Sequence, residues 1–414
     1  MRDDRRLRGA AAIGCLMAAM LALGGSAALA QNAAQPKPDA KPTFDIYGFA
    51  MLDIGHNFTQ IDPAWFDTLR VTKLPKVDKE FGEDNSTFAG VRQSRLGFKS
   101  TTPTDYGDLK TIFEFELFGT GVDAGQTTFR LRHAWGELGA IGAGQYWSPF
   151  TDPDAFPNSL EYWGPTGLAW FRNVQLRWTP VATSANVFMI ALERPGASGD
   201  GGVYSDRIEL QNIKPRFPIP DISAAWRTNQ KWGYFRLAGQ IRKIDWDDVL
   251  NDQFDLSGSA TGWGLNLSSN VNAGKKDVLR LALVVGEGIQ NAMNDSPIDI
   301  GIQNNLTNPV TPIVGKPIPI TAISVFVDHK WNDEFSSAFG YSRQDNDNTD
   351  AQAPNAFRTG QYALGNLLYT PVPNAMGGVE FQWGRRENFS DGFHSDGVKL
   401  QFSFKYNFSW KLGG

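Results

Sequence analysis

Val398-Lys399-Leu400-Gln401-Phe402-Ser403-Phe404-Lys405-Tyr406-Asn407-Phe408-Ser409-Trp410 alternates an apolar with a polar side chain at every step. Successive side chains of a strand point to opposite faces, so one face of this segment is aliphatic and aromatic and the other carries Lys, Gln, Ser and Asn. The same alternation recurs at Leu109, Thr111, Phe113, Phe115 and Leu117, interleaved with Lys110, Glu114 and Glu116. It returns at Phe235, Leu237 and Ile241 around Arg236, Gln240 and Arg242, at Leu279, Leu281 and Leu283 around Arg280, and at Val379, Phe381 and Trp383 around Glu380 and Gln382.

Sixteen such segments begin near Phe44, Gln93, Gly107, Thr127, Gly139, Asn173, Ala185, Asp221, Tyr234, Ser259, Asp277, Ala322, Phe335, Gln361, Met376 and Val398. Every second connector is short, as at Thr102–Tyr106 and Asn272–Lys276, whereas most of the others are long, as at Thr59–Gly90, Tyr146–Phe171, Glu287–Ile320 and Gly384–Gly397. Short turns on one rim and long loops on the other predict a 16-stranded antiparallel transmembrane β-barrel over residues 44–408, with short periplasmic turns, long extracellular loops and a C-terminal tail at 409–414. A soluble β-sandwich or β-helix also alternates, but it would not repeat Phe, Trp and Tyr on a face almost without charge. Lipid demands such a face, and it forces closure, because an open edge in hydrocarbon leaves backbone groups unpaired.

Composition agrees: 43 Gly, 28 Phe and 13 Trp accompany only 20% charged residues. Four arginines precede an apolar stretch from Gly9 to Leu23, and Ala28-Leu29-Ala30 supplies a small-x-small site, so residues 1–30 read as an export signal. Removing it takes away Cys15, the chain's single cysteine, and shifts the net charge from −5 to −7. An acidic chain without thiols is expected to have no disulfide, no thiolate metal site and no nucleic-acid partner. Residues 31–43, rich in Ala, Pro and Lys, are expected to be a flexible periplasmic leader.

Period two also sorts charge by face. Opposite the greasy face lie Arg95, Lys99, Lys110, Arg130, Arg132, Arg177, Arg227, Arg236, Arg242, Arg280, Lys399 and Lys405, against Asp53, Glu114, Glu116, Glu193 and Glu380. An acidic protein therefore has a basic inferred lumen, and a narrow low-dielectric channel concentrates anions in such a field. Arg95 and Arg132 are expected near mid-height, with Arg242 on the far wall, while His133 has greasy-face parity near a strand end and reads as a rim residue. The third long connector holds Trp147-Ser148-Pro149-Phe150, Asp152, Asp154, Glu161 and Tyr162-Trp163-Gly164-Pro165. Too aromatic and proline-stiffened for a surface loop, it is expected to fold inward and narrow the barrel, its acids facing the basic wall.

The run Phe129-Arg130-Leu131-Arg132-His133-Ala134-Trp135, the block Gly144-Gln145-Tyr146-Trp147-Ser148-Pro149-Phe150, then Gly164-Pro165, Gln175-Leu176-Arg177-Trp178 and Gln401–Phe408 resemble the DcaP-like outer-membrane porins. The resemblance runs from about Phe44 to Phe408. It implies a homotrimer of sixteen-stranded barrels in a Gram-negative outer membrane, passing small organic anions, dicarboxylates especially, through an arginine-lined constriction. That role carries over to Arg95, Arg132 and Arg177, and to Arg242, with Arg130 counted beside them. Longer members have a heptad-patterned segment before the barrel, for which Gln31–Thr43 is too short and proline-rich. Such barrels usually end at an aromatic residue, here Phe408, through which the assembly machinery would recognise the last strand.

An enzyme is disfavoured by four histidines with neither a G-x-S-x-G elbow nor an H-E-x-x-H pair. No cofactor is expected, and the acidic run Asp345–Asp350 lacks the central Gly and closing Glu of a calcium loop, leaving at most a loose contact with lipopolysaccharide. A structural anchor or adhesin barrel without solute flux is the other alternative; the arginine-bearing inner face argues against it.

Overall fold

A computed structural model describes residues 41–413, so the export signal and residues 31–40 of the leader lie outside the described residues. Sixteen long strands form a closed antiparallel barrel. The first eight are β1 (Thr43–Asn57), β2 (Arg95–Thr104), β3 (Gly107–Phe118), β4 (Thr127–Leu138), β5 (Ile141–Trp147), β6 (Arg172–Ala182), β7 (Asn186–Glu193) and β8 (Asp221–Gln230). The rest are β9 (Gly233–Asp248), β10 (Gly258–Ala273), β11 (Asp277–Glu287), β12 (Pro319–Lys330), β13 (Phe335–Asn346), β14 (Phe357–Val372), β15 (Ala375–Asn388) and β16 (His394–Leu412). Each begins within four residues of its expected start. Short segments at Ser86–Gly90 and Ile213–Arg216 extend the sheet, and Ile300–Asn304 pairs with Ile313–Pro317 as a separate loop hairpin.

Closure runs through β1 and β16, in register from Phe44↔Leu412 to Asn57↔Lys399. The last strand therefore continues past Phe408, and residues 409–412, expected to be a tail, belong to the barrel wall. Alternation holds along it: Phe404 is 46% exposed on the outside, whereas neighbouring Ser403 is fully buried inside. Connectors on one rim are two to four residues long, such as Gly139-Ala140, where Gly139 adopts φ +58°. Connectors on the other rim run from five residues to thirty-seven. The eighth long connector is the shortest of these, because β15 and β16 extend through most of the stretch expected to be loop.

Alternation breaks inside β4. Its register to β3 passes from Glu114↔His133 to Phe115↔Leu131, a β-bulge at Arg132. The extra residue flips the parity below it, so His133 turns inward and is buried. This corrects the expectation that His133 is a rim residue.

Candidate functional site

Residues 148–171 leave the top of β5 and cross the lumen before returning to β6. Asp152 caps a turn at Pro153–Ala155 by accepting from the Asp154 amide at 3.2 Å. Gly164 adopts φ +73°, and a Cβ there would stand 2.3 Å from the Phe156 ring, so the turn back toward the wall requires glycine. The loop is fastened along its length. Asp152 accepts from the Tyr234 and Ser268 hydroxyls at 2.8 and 2.6 Å, and Asp154 pairs with Arg227 at 2.5 Å. Asn366 donates to the Asn158 carbonyl at 2.8 Å. Glu380 accepts from the amides of Leu160 and Glu161 at 2.8 and 3.0 Å, and Lys399 reaches Glu161 at 2.5 Å.

All those partners stand on β8 to β10 and β14 to β16. The loop thus lies against that half of the wall, and an open cleft of about 690 Å³ remains between it and β1 to β6. Four guanidinium groups converge there. Arg132 donates from Nε to Glu114 at 2.6 Å and from Nη1 to Glu116 at 2.5 Å. Arg95 lies 3.6 and 3.5 Å from the same two carboxylates, and Arg130 and Arg172 stand 3.5 and 4.0 Å from Glu116. Tyr162 of the loop donates to Glu116, accepts from Arg130 at 3.3 Å and stacks on Phe118 with ring centres 3.7 Å apart. Four cations against two carboxylates leave the cleft positive. Moreover, Arg95 Nε and Arg172 Nη1 are buried with no hydrogen-bond partner among the described residues.

The expected lining residues fall into three groups. Arg95, Arg130 and Arg132 meet in the cleft, joined by Lys405, whose ammonium lies 4.1 Å from the Phe49 ring centre. Lys99, Lys110 and Arg177 sit lower: Lys99 is 3.5 Å from Asp45, while Lys110 and Arg177 stand 3.8 and 3.7 Å from Glu137. Arg177 also lies 4.4 Å over Trp135, outside the cluster. The remaining cations are spent on fastening. Arg236 donates to the Pro149 carbonyl, Arg280 to the Asp154 carbonyl and to Asp328 at 2.6 Å, and Arg227 and Lys399 bind Asp154 and Glu161.

Arg242 requires correction. It is buried between Asp221 at 3.0 Å and Asp299 at 2.9 Å and donates to the Gly196 and Gly288 carbonyls, so it braces the long loops instead of facing the cleft. The loop acids do meet cations of the basic wall, Asp154 at Arg227 and Glu161 at Lys399, while Asp152 accepts from Tyr234 and Ser268, all on the side against which the loop rests. The carboxylates facing the arginines are Glu114 and Glu116 of β3. Trp147, the last residue of β5, packs against Trp170 of the loop at 4.5 Å, while Trp163 covers Arg70, which lies 3.9 Å from its ring and 2.8 Å from Asp295.

Arg172 escaped the sequence reading. By parity with inward Asn173, Gln175 and Arg177 it should face outward. It is the first residue after the loop returns, before pleating takes hold, and its side chain turns in over Trp147 at 5.0 Å. The signal available was its place at the end of a loop already expected to fold inward.

Residues 22–222, about half of the chain, match the family profile described as DcaP outer membrane protein. No curated protein matches. Among solved structures, the outer membrane channel DcaP of Acinetobacter baumannii superposes with a TM-score of 0.75 at 19% identity, covering 90% of this chain and 99% of that one. The anion-selective porin from Comamonas acidovorans gives 0.55 at 11% identity, covering 89% and 100%, and OprB of Pseudomonas putida gives 0.52 at 11%, covering 88% and 94%. At these identities the likeness is one of fold: a sixteen-stranded porin-type barrel.

Proposed function

Because the chain belongs to the DcaP outer membrane protein family, we propose that it is an outer-membrane porin through which small organic anions, dicarboxylates among them, diffuse passively. The observation that carries this reading is the convergence of Arg95, Arg130, Arg132 and Arg172 on only two carboxylates beside an open cleft. Fixed positive charge inside a low-dielectric wall raises the local concentration of anions. The planar fork of a guanidinium suits a carboxylate, which it grips with two parallel hydrogen bonds.

The glutamates set the strength of the grip. Glu114 and Glu116 neutralise part of the cluster and hold Arg132 in place, so a solute meets a net attraction weak enough to release it. Conduction needs both properties. The assembly is a homotrimer, with the outward aromatic faces in lipid and lipopolysaccharide, residues 1–30 removed on export, and β16 read by the barrel-assembly machinery. Swelling of liposomes holding the purified protein tests the reading: dicarboxylates should enter faster than neutral sugars of similar size, and equal or inverted rates would count against it.

A further inference from the structure

Away from the arginine cleft, where the long loops rise from β9 and β10, a second chamber of about 330 Å³ opens among the loops. Its outer side is the barrel wall. Ile244 and Trp246 share the inward parity of Arg236 and Arg242 on β9, and the segment Ile213–Arg216 extends the same wall by pairing with Asp245–Asp248. Facing them stands the hairpin of Ile300–Asn304 and Ile313–Pro317, so close that a Cβ on Gly315 would lie 2.6 Å from the Trp246 ring. Phe217, Leu256, Ile300 and Ile302 complete an aliphatic and aromatic lining. Leu210 and Ile313 are only half-buried and Pro215 is exposed, which leaves the chamber an entrance from the extracellular side.

Among the described residues that line the chamber, only Ser198, Asp200 and Trp246 carry polar side-chain atoms, and all three are engaged within the protein. The Ser198 hydroxyl donates to Asp299 at 3.0 Å, and the Trp246 indole N–H donates to the Leu256 carbonyl at 2.9 Å. The Asp200 carboxylate accepts from the Gly202 amide at 2.7 Å and from Gln352 at 3.1 Å. No lining side chain therefore has a free donor, and none is a cation. An anion drawn to the arginine cleft would shed its hydration here and find no replacement. A buried water, which typically makes about three hydrogen bonds, is poorly served as well. Bilayer lipid is kept out by β9 and its extension, which stand between the chamber and the acyl chains.

We propose that this chamber is a binding site for an uncharged, mainly hydrocarbon small molecule the size of a substituted benzene or a two-ring aromatic. An apolar protein cavity of about 150 Å³ takes up benzene, and this one is roughly twice as large. The ligand is held by removal of its apolar surface from water, so the site selects by size and shape and not by functional group. It lies apart from the arginine cleft, and the proposal goes beyond the porin reading: the site can be absent from a working anion pore, or present in a barrel that passes nothing.

Fluorine NMR of 1-fluoronaphthalene with the full mature protein in detergent micelles tests it. The unaltered protein should give a bound signal distinct from that of protein-free micelles, and excess succinate, a probe for the arginine cleft, should leave that signal in place. The signal should be lost in Ala197→Phe, which fills the space, and in Ile313→Asp, which puts a charge into it, each folded as judged by heat-modifiable migration. A spectrum no different from that of micelles alone, a bound signal undiminished in either folded variant, or its displacement by succinate would overturn the proposal. Independently of any variant, crystals of the unaltered protein soaked with 1-bromonaphthalene should show anomalous scattering from bromine beside Trp246 and Ile300; bromine found only elsewhere, or nowhere, would overturn it too.

Discussion

The ammonium of Lys399 lies 2.5 Å from a carboxylate oxygen of Glu161, and neither side chain has exposed surface. The strand that closes the barrel is thereby joined to the loop that crosses its lumen. Removing one partner of a buried pair leaves the other charge stranded, at a cost of about 3–5 kcal/mol. Lys399→Met should lower the unfolding temperature and loosen the loop, which is still held by Glu380 at the Leu160 and Glu161 amides. Noisier single-channel currents and a lower melting temperature are expected; a quiet pore with unchanged melting would show that the pair does not restrain the loop.

Arginines of the cleft should separate by what else they hold. Arg130 lies 3.5 Å from Glu116 with a partly exposed side chain, whereas Arg132 holds both glutamates at 2.6 and 2.5 Å. Arg130→Ala should reduce anion preference with a stability change under about 1 kcal/mol, the usual worth of a partly exposed ion pair. Arg132→Ala leaves two buried carboxylates without their main partner and should cost about 3–5 kcal/mol. Paired bilayer and thermal-unfolding measurements check this, and equal effects of the two variants on stability would refute the distinction.

This contrast marks what the sequence makes legible. Strand starts and faces follow from period two, since lipid on one side and water on the other repeat the same demand at every strand. Parity fails where the backbone departs from simple pleating: at the Arg132 bulge, which turns His133 inward, and at Arg172, where the chain has just left a loop. It also says only that a cation points inward. Whether Arg236 or Lys399 meets solvent depends on a loop from elsewhere in the chain lying over it, a tertiary fact that no local pattern contains.

Arg242→Ala supplies the matching control. Because Arg242 is spent on Asp221 and Asp299, its loss should leave ion preference intact while destabilising the long loops. Burial already holds the Asp299 carboxyl above the usual carboxylate range, against the pull of Arg242. Without Arg242 the folded state keeps a proton that the unfolded state, with a carboxyl pKa of about 3.9, releases. The variant's stability should therefore be greatest in acid and fall as pH rises through the raised folded-state value. Urea midpoints at pH 5 and pH 8 test the sign, and a higher midpoint at pH 8 would contradict it.

Salt should weaken the preference. Screening lengths shrink from about 10 Å at 0.1 M to about 3 Å at 1 M ionic strength, so a field made by fixed guanidinium groups extends less far into the cleft. The permeability ratio of chloride to potassium should fall toward unity over that range. A ratio independent of salt would mean that selection rests on fit alone.

The most direct measurement is the zero-current potential of the purified porin in a planar bilayer under a KCl gradient, for the unaltered protein and for Arg95→Ala combined with Arg172→Ala. The arginine cluster predicts a potential of the sign that chloride permeation gives, moving toward zero in the double variant while the conductance stays open. A potential of the potassium sign, or one that the double substitution leaves unmoved, would contradict it.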